Sequence, residues 1–469
     1  MRSRSIDTID KFKFIALASI IICLLISIMV NSKKAIMTEG ILLSGVLLIL
    51  IKPNKHPIRL IYAQIIYNSI VKFGISCLHL PSSANYITDI LTFLILVEAL
   101  IHLPSKKIKG YIWLPCFVIL TLFLITITGF IVNSQSIALY FWGVRNNFRM
   151  YIFFLGCVVL LKKKDIDGIF KVLLLISIFN TLFVTVQYFK FGIEQDYLGG
   201  VFGTSKGVNA FENIFMCVIC IVTIVQFLYK KITAVLMLAV VFSSVYIAAL
   251  SELKMFFVEL AIIVVCVVIL NKTSKKTILL VLGCVLSIYV GTQCLYQIFP
   301  HSKNYFSVKN IIAANNTYSS ATDLGRLTAT KTVSNMFLNH NKLKYLFGLG
   351  MGSAETSQIS IFNSKFFNEY GDTLHYTWLS SAFMLIENGW SGLIIYLVFF
   401  IVIFGLGFKI RNLNKQVMDY CIMTQIFAVL CCVIVFYNSS LRMEAGYYAY
   451  FMLSIPFALS NKEILKNDH

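Results

Sequence analysis

Four cations and one histidine carry the chemistry legible in this chain. Arg145 and Arg149 stand four apart in GVRNNFRM, which places them on one face at the outer end of a helix. Lys254 lies in ALSELKMFF beside Glu252, Arg326 in DLGRLTA and His375 in GDTLHYTWLSS. A guanidinium is a planar fork of donors that matches phosphate oxygens two at a time. A histidine near such a cluster takes up a proton near neutral pH and activates a hydroxyl. Together these residue types suit transfer of a group from a lipid diphosphate to a sugar hydroxyl, the cations stabilising the departing diphosphate without a metal. No dense acidic cluster and no His/Cys ligand spacing stands outside the apolar segments, so neither a metal nor another cofactor is expected. Each residue also has a plain structural role open to it. Arg149 and Lys254 suit anchors that snorkel to the headgroup level, Arg326 a solvated helix position and His375 a structural hydrogen bond. His340, in NHNKLK, reads as a surface histidine. Asp89 and Glu98 fall inside an apolar segment, where each costs roughly 2.5–3.5 kcal/mol on insertion scales.

The elements that must position these groups follow from composition. The chain has 469 residues, 58% hydrophobic and 13% charged, against about 45–50% and about 25% in a soluble domain. A water-soluble globule of this length cannot hide so much apolar surface, and charge is too scarce for a disordered chain. The expected fold is an all-α polytopic membrane protein of about fourteen spans, near 14–30, 36–51, 60–78, 84–103, 111–132, 148–161, 168–189, 209–229, 232–250, 254–270, 277–298, 379–408, 417–437 and 443–459. The net charge of +19 lies between the apolar runs rather than in one stripe, so it reports membrane orientation and not nucleic-acid binding. With the N-terminus inside, the inner segments hold 23 Lys and Arg and the short outer connections eight, which puts both ends in the cytoplasm. The start, MRSRSIDTIDKFKF, has no small-residue cleavage site after it and reads as leading into an uncleaved first span. The twelve cysteines all lie in apolar segments, and Cys217 and Cys220, although spaced CxxC, read as packing residues.

One connection departs from the rest. Residues 299–377 form a long polar segment, expected to be an outer loop with amphipathic helical stretches near 323–340 and 355–370 around the run FGLGMG at 347–352. The chain therefore divides into an N-terminal bundle at 1–298, this extracytoplasmic loop at 299–377, and C-terminal spans with a cytoplasmic tail at 378–469.

Several segments give this layout a family likeness. VFGTSKGVNAFEN at 201–213, ALSELK at 249–254, LGRLTA at 324–329 followed by YLFGLGMG at 345–352, and LHYTWLSSAFMLIENGWSG at 374–392 resemble the O-antigen polymerase and ligase superfamily, the Wzy and WaaL type of polysaccharide-assembling membrane enzymes. The last segment supplies His375, Glu387, Gly389 and Gly392; Tyr376 stands where Asn commonly follows the His, and Lys254 where Arg is commoner. The resemblance covers roughly residues 140 to 400. It implies an undecaprenyl-diphosphate-linked oligosaccharide as donor, metal-independent glycosyl transfer, and a site on the outer face of the bacterial cytoplasmic membrane. By carry-over, Arg145, Arg149, Lys254 and Arg326 bind the diphosphate. His375 acts as base or orients the acceptor hydroxyl, with Arg326 beside it as a catalytic residue. Membrane lipid, a chain-length regulator and a flippase of the same pathway are the partners it implies.

The SELK variant and the Lys- and Ile-rich composition favour a capsule or exopolysaccharide polymerase, which joins one lipid-linked repeat unit to another, over a ligase with a different acceptor. A lipid-linked oligosaccharide flippase also has about a dozen spans, but such folds show matching halves with broken midplane helices. No such halves are evident here, and the polar residues gather in one outer loop.

Overall fold

The computed structural model describes residues 56–103, 110–271, 275–300, 323–357 and 359–460. The expected spans 14–30 and 36–51 and the loop stretch 301–322 lie outside the described residues. Among the described residues every regular element is helical. The long helices are α1 (His56–Cys77), α2 (Ile87–His102), α3 (Trp113–Asn133), α4 (Ile137–Leu160), α5 (Lys163–Phe191), α6 (Val208–Leu228), α7 (Ala234–Leu250), α8 (Lys254–Leu270) and α9 (Lys275–Ile298). The loop contributes three short ones, α10 (Ala329–Val333, prolonged by a π turn at Ser334–Leu338), α11 (Lys342–Phe347) and α12 (Lys365–Leu374). The chain then runs through α13 (Ser380–Leu413), α14 (Met418–Tyr437) and α15 (Gly446–Leu459).

Eight of the described helical stretches are long and apolar enough to cross a membrane: those of α1, α2 with its 3-10 entry, α3, α5, α6, α9, α13 and α14. The protein is thus a helical membrane protein, built of the one element that satisfies backbone groups within its own segment. α7 is apolar but shorter.

α15 is the centre of the bundle. All of its residues are buried, and it packs on α4, α14 and α6. Its tyrosines meet α4 edge-on, Tyr447 against Phe153 at 5.1 Å and Tyr450 against Tyr151 at 5.2 Å, an arrangement that sets the positive ring edge on the negative face. α13 packs on α14 and α3, and α2 on α1 and α4; α6, α7, α8 and α9 form a flank joined to the centre through α14 and through the contact of α6 with α15.

α4 differs from expectation. It begins at Ile137 rather than near 148, so Arg145 and Arg149 sit inside the helix and not at its outer end. Both are neutralised by acids from neighbouring helices or turns, and this pairing lets the helix continue through them.

α13 breaks at Gly389, whose φ is +61°. The break frees the carbonyls of Ile386 and Glu387, which accept from Leu349 N at 2.7 Å and Gly350 N at 3.0 Å. The glycine run of the loop thereby docks into the kink. A Cβ on Gly389 would fall 2.4 Å from the Leu346 carbonyl oxygen, and one on Gly348 2.5 Å from Glu387 C, so both positions need glycine.

Candidate functional site

The turn between α14 and α15, residues 438–445, is where the loop and the bundle meet. The Asn438 carbonyl accepts from Ser380 N at 3.1 Å and Ser380 Oγ at 2.9 Å, tying the start of α13 to the end of α14. Arg326 reaches the same place: its Nε donates to the Tyr437 carbonyl at 3.2 Å, and its guanidinium lies 4.1 Å over the Tyr437 ring.

His375 follows α12 in the left-handed conformation, φ +48°. Its Nδ1 lies 2.7 Å from Asp323 Oδ1, and the two segments are also joined by Leu324 N donating to the Leu374 carbonyl at 3.2 Å. The Asp323 side chain is 2% exposed and that of His375 30%, so the carboxylate is sealed in while the imidazole keeps an accessible edge. The ring is stacked on Trp378, 4.0 Å between centroids and 22° from parallel. Lys206, from the loop before α6, places its ammonium 5.6 Å from the same Trp378 ring. A carboxylate on Nδ1 fixes the tautomer that leaves Nε2 as the basic nitrogen and stabilises the imidazolium when that nitrogen takes a proton.

A second group of charges runs along α4. Arg145 pairs with Asp89 of α2 and lies over the rings of Trp142, at 4.6 Å, and Tyr86, at 5.1 Å. Arg149 is buried and shares Asp89 at 3.6 Å, with Glu444 on its other side at 3.5 Å. Glu444 also meets Lys72 of α1 at 3.3 Å, and its carbonyl accepts from Asn68 at 2.9 Å. Burial by itself pushes the Glu444 carboxyl up, but Lys72 and Arg149 overcome this and hold it at about 2.

Next to them, Glu355 of the loop accepts from Asn146 at 2.8 Å and Asn147 at 3.3 Å, and stands 3.8 Å from Arg442. Burial raises the Glu355 carboxyl above its ordinary value, against the pull of Arg442 and Asn146. Burial likewise lowers the Arg442 guanidinium, opposed by Glu355 and Glu387. Arg442 Nε donates to Asn147 Oδ1 at 3.1 Å, and its guanidinium rests 3.2 Å over the Phe383 ring. Glu387, at the α13 kink, accepts from Gly352 N at 2.9 Å and Ala354 N at 3.2 Å, which fixes the strand of loop that carries Glu355.

The structure therefore places Arg326 on Tyr437 at the α14 terminus, pairs His375 with Asp323 three residues before Arg326, and joins Arg145 and Arg149 through Asp89. Lys254 lies in the α7–α8 turn, which meets the loop carrying Lys206 where Ser251 Oγ donates to the Leu198 carbonyl at 3.5 Å. It forms an ion pair with Glu252 at 2.8 Å in the α7–α8 turn, and α8 packs chiefly on α6, α7, α9 and α14. Sequence reasoning missed Asp323, Lys72, Lys206, Glu355, Arg442 and Glu444 as members of the site. Lys206 and Arg442 were visible only as charges in short connections. Among the described residues no group of three or more His, Cys, Asp or Glu converges to hold a metal ion. No protein-family model matches the chain, and no curated protein sequence matches it.

Proposed function

We propose that the chain is a polysaccharide polymerase. It transfers a glycan from an undecaprenyl-diphosphate carrier to a sugar hydroxyl of another lipid-linked repeat unit, at the outer face of a bacterial cytoplasmic membrane crossed by about fourteen helices. The observation that carries the reading is the Asp323–His375 pair, partly open at its imidazole, its ring stacked on the Trp378 that Lys206 also approaches, with Arg326 three residues beyond Asp323 in the chain. In this mechanism Asp323 holds the proton on Nδ1, and Nε2 removes the proton of the acceptor hydroxyl. The freed oxygen attacks the anomeric carbon of the donor, and the bond from that carbon to the diphosphate oxygen breaks. The diphosphate leaves on its lipid, its added charge met by Arg326 and Lys206. Arg149 and Arg442, each countered by a carboxylate, hold the turn that Arg326 packs on, and Arg145 is tied to them through Asp89. Lys254 belongs to a separate turn and has no part in the step.

The test is reconstitution. Purified protein in liposomes with a lipid-linked repeat unit should yield a ladder of longer glycans. His375→Ala and Arg326→Ala should abolish the ladder while inserting into the membrane normally. A ladder from both variants overturns the assignment, and transport of labelled lipid with no ladder replaces it by a flippase.

A further inference from the structure

The interface between α6 and α8 holds a carboxyl group that, among the described residues, no cation meets. Glu259 of α8 is fully buried. Its Oε2 accepts from Asn213 Nδ2 at 2.7 Å and from Cys217 Sγ at 3.3 Å, both on α6. Among the described residues its Oε1 has no hydrogen-bond partner, and neither has Asn213 Oδ1, although Asn213 is 1% exposed. Two acceptor oxygens are thus orphaned on two side chains that already share one hydrogen bond.

The charged groups on the surrounding helices either pair elsewhere or stand at helix starts. Glu212, next to Asn213 on α6, accepts from Asn180 at 2.6 Å and Ser251 at 3.4 Å. Lys254 opens α8 and pairs with Glu252, and Asp419 opens α14 and pairs with Lys231 at 2.6 Å. Lys275 and Lys276 open α9, and the interior of α7 carries no charged residue. The titratable neighbours are thiols, Cys217 in contact and Cys220 and Cys431 beyond it. An ionised carboxylate in such surroundings lacks both water and a counter-charge.

We propose that Glu259 is a proton-binding site of the membrane interior, with the proton on Oε1 and its O–H directed to Asn213 Oδ1. One proton removes the charge and gives both orphaned oxygens a partner, closing a ring in which acid and amide each donate once and accept once. Double donation to Oε2 with none to Oε1 is the pattern of a neutral acid, whose carbonyl oxygen accepts while its hydroxyl donates. A metal cation at the same place would find only the carboxyl and one amide oxygen. Ionisable groups within membrane helices are costly and mark functional positions, and here the α6–α8 contact becomes dependent on a bound proton. This site is independent of glycan transfer.

The experiment uses the full chain in membranes at neutral pH. The infrared difference spectrum between the wild type and Glu259→Gln should show the carbonyl band of a protonated carboxyl, lost in the variant. Glu259→Gln should keep the wild-type thermal stability, because its amide reproduces both bonds to Asn213. Dicyclohexylcarbodiimide reacts with protonated carboxyls in apolar surroundings, the acid proton passing to a carbodiimide nitrogen as the carboxyl oxygen bonds its central carbon. An adduct mapped to Glu259 by peptide mass spectrometry supports the site without any variant. Absence of both band and adduct overturns the proposal. Suppression of the adduct by sodium at fixed pH also overturns it, because the occupant is then a metal cation.

Discussion

Replacing Glu444 by Gln isolates the electrostatic centre of the site. Glu444 is buried, 3.3 Å from Lys72 and 3.5 Å from Arg149. Glutamine keeps the shape and removes the charge, leaving two cations close together. The two cations bring the folded-state carboxyl from an ordinary 4.5 to about 2. At ~1.4 kcal/mol per pH unit, this displacement stabilises the folded state by about 3 kcal/mol. The sign follows from proton uptake. The folded carboxyl is the stronger acid, so as pH falls the unfolded chain takes up the proton first. The stabilisation is whole above about 4.5 and disappears as pH drops through about 2. Glu444→Gln should therefore lose about 3 kcal/mol at neutral pH, at the lower end of the ~3–5 kcal/mol for breaking a buried pair. The two proteins should converge in acid. The assay is denaturant unfolding of the purified protein in detergent, followed by tryptophan fluorescence over a pH series. Other carboxyls titrate in both proteins and cancel in the difference. A gap that stays constant at every pH, or no gap at neutral pH, refutes the reasoning.

Asp323→Asn should leave His375 in place but without the carboxylate that fixes its tautomer, and lower kcat by roughly 10²–10⁴-fold, the range of a general base; unchanged turnover in the liposome assay would remove Asp323 from the mechanism. Arg326→Lys should also be impaired, because an ammonium reproduces neither the two-pronged contact nor the planar stack on Tyr437. A loss of ~1.5–3 kcal/mol of charged hydrogen bonding corresponds to roughly 10- to 150-fold in kcat/KM, and wild-type kinetics in this variant would contradict it. Lys254→Met should leave polymer yield at the wild-type level, as its ion pair lies in another turn; a loss of polymer with normal insertion would return Lys254 to the site. Gly389→Ala should destabilise the protein by more than about 2 kcal/mol, from the left-handed backbone and the approach to the Leu346 carbonyl, and a wild-type melting temperature would show that the kink is soft.

The helices were legible wherever an apolar run is bounded by Lys-rich or turn-forming residues. The expected 209–229, 254–270 and 417–437 correspond to Val208–Leu228, Lys254–Leu270 and Met418–Tyr437. The reading failed at α4, whose first half carries two arginines. Hydropathy counts them as a boundary, whereas packing against Asp89 and Glu444 makes them interior residues. In the loop, the glycine run was recognised, but not that it docks into a broken helix. Its hydrogen bonds are made to carbonyls that become available only once Gly389 turns out of the helical conformation.

For the site, the cations were visible as residue types and their partners were not. Arg145 is 56 positions from Asp89 and Arg149 295 from Glu444. Nothing local links such pairs, because helix packing alone brings them together. Charge counting assigns a residue to one end of a bundle and leaves its neighbours open. The usable signal is acidic. A buried guanidinium requires a carboxylate, and the chain has only 21 acidic residues against 40 basic ones. With acids this scarce, those placed within or beside spans or in the long loop are natural counter-ions. Asp89, Asp323, Glu355 and Glu444 all meet that description, and each touches a cation or the histidine here. Lys254 has its acid two residues away, at Glu252, and a cation neutralised within its own turn has the least electrostatic reason to join a distant cluster.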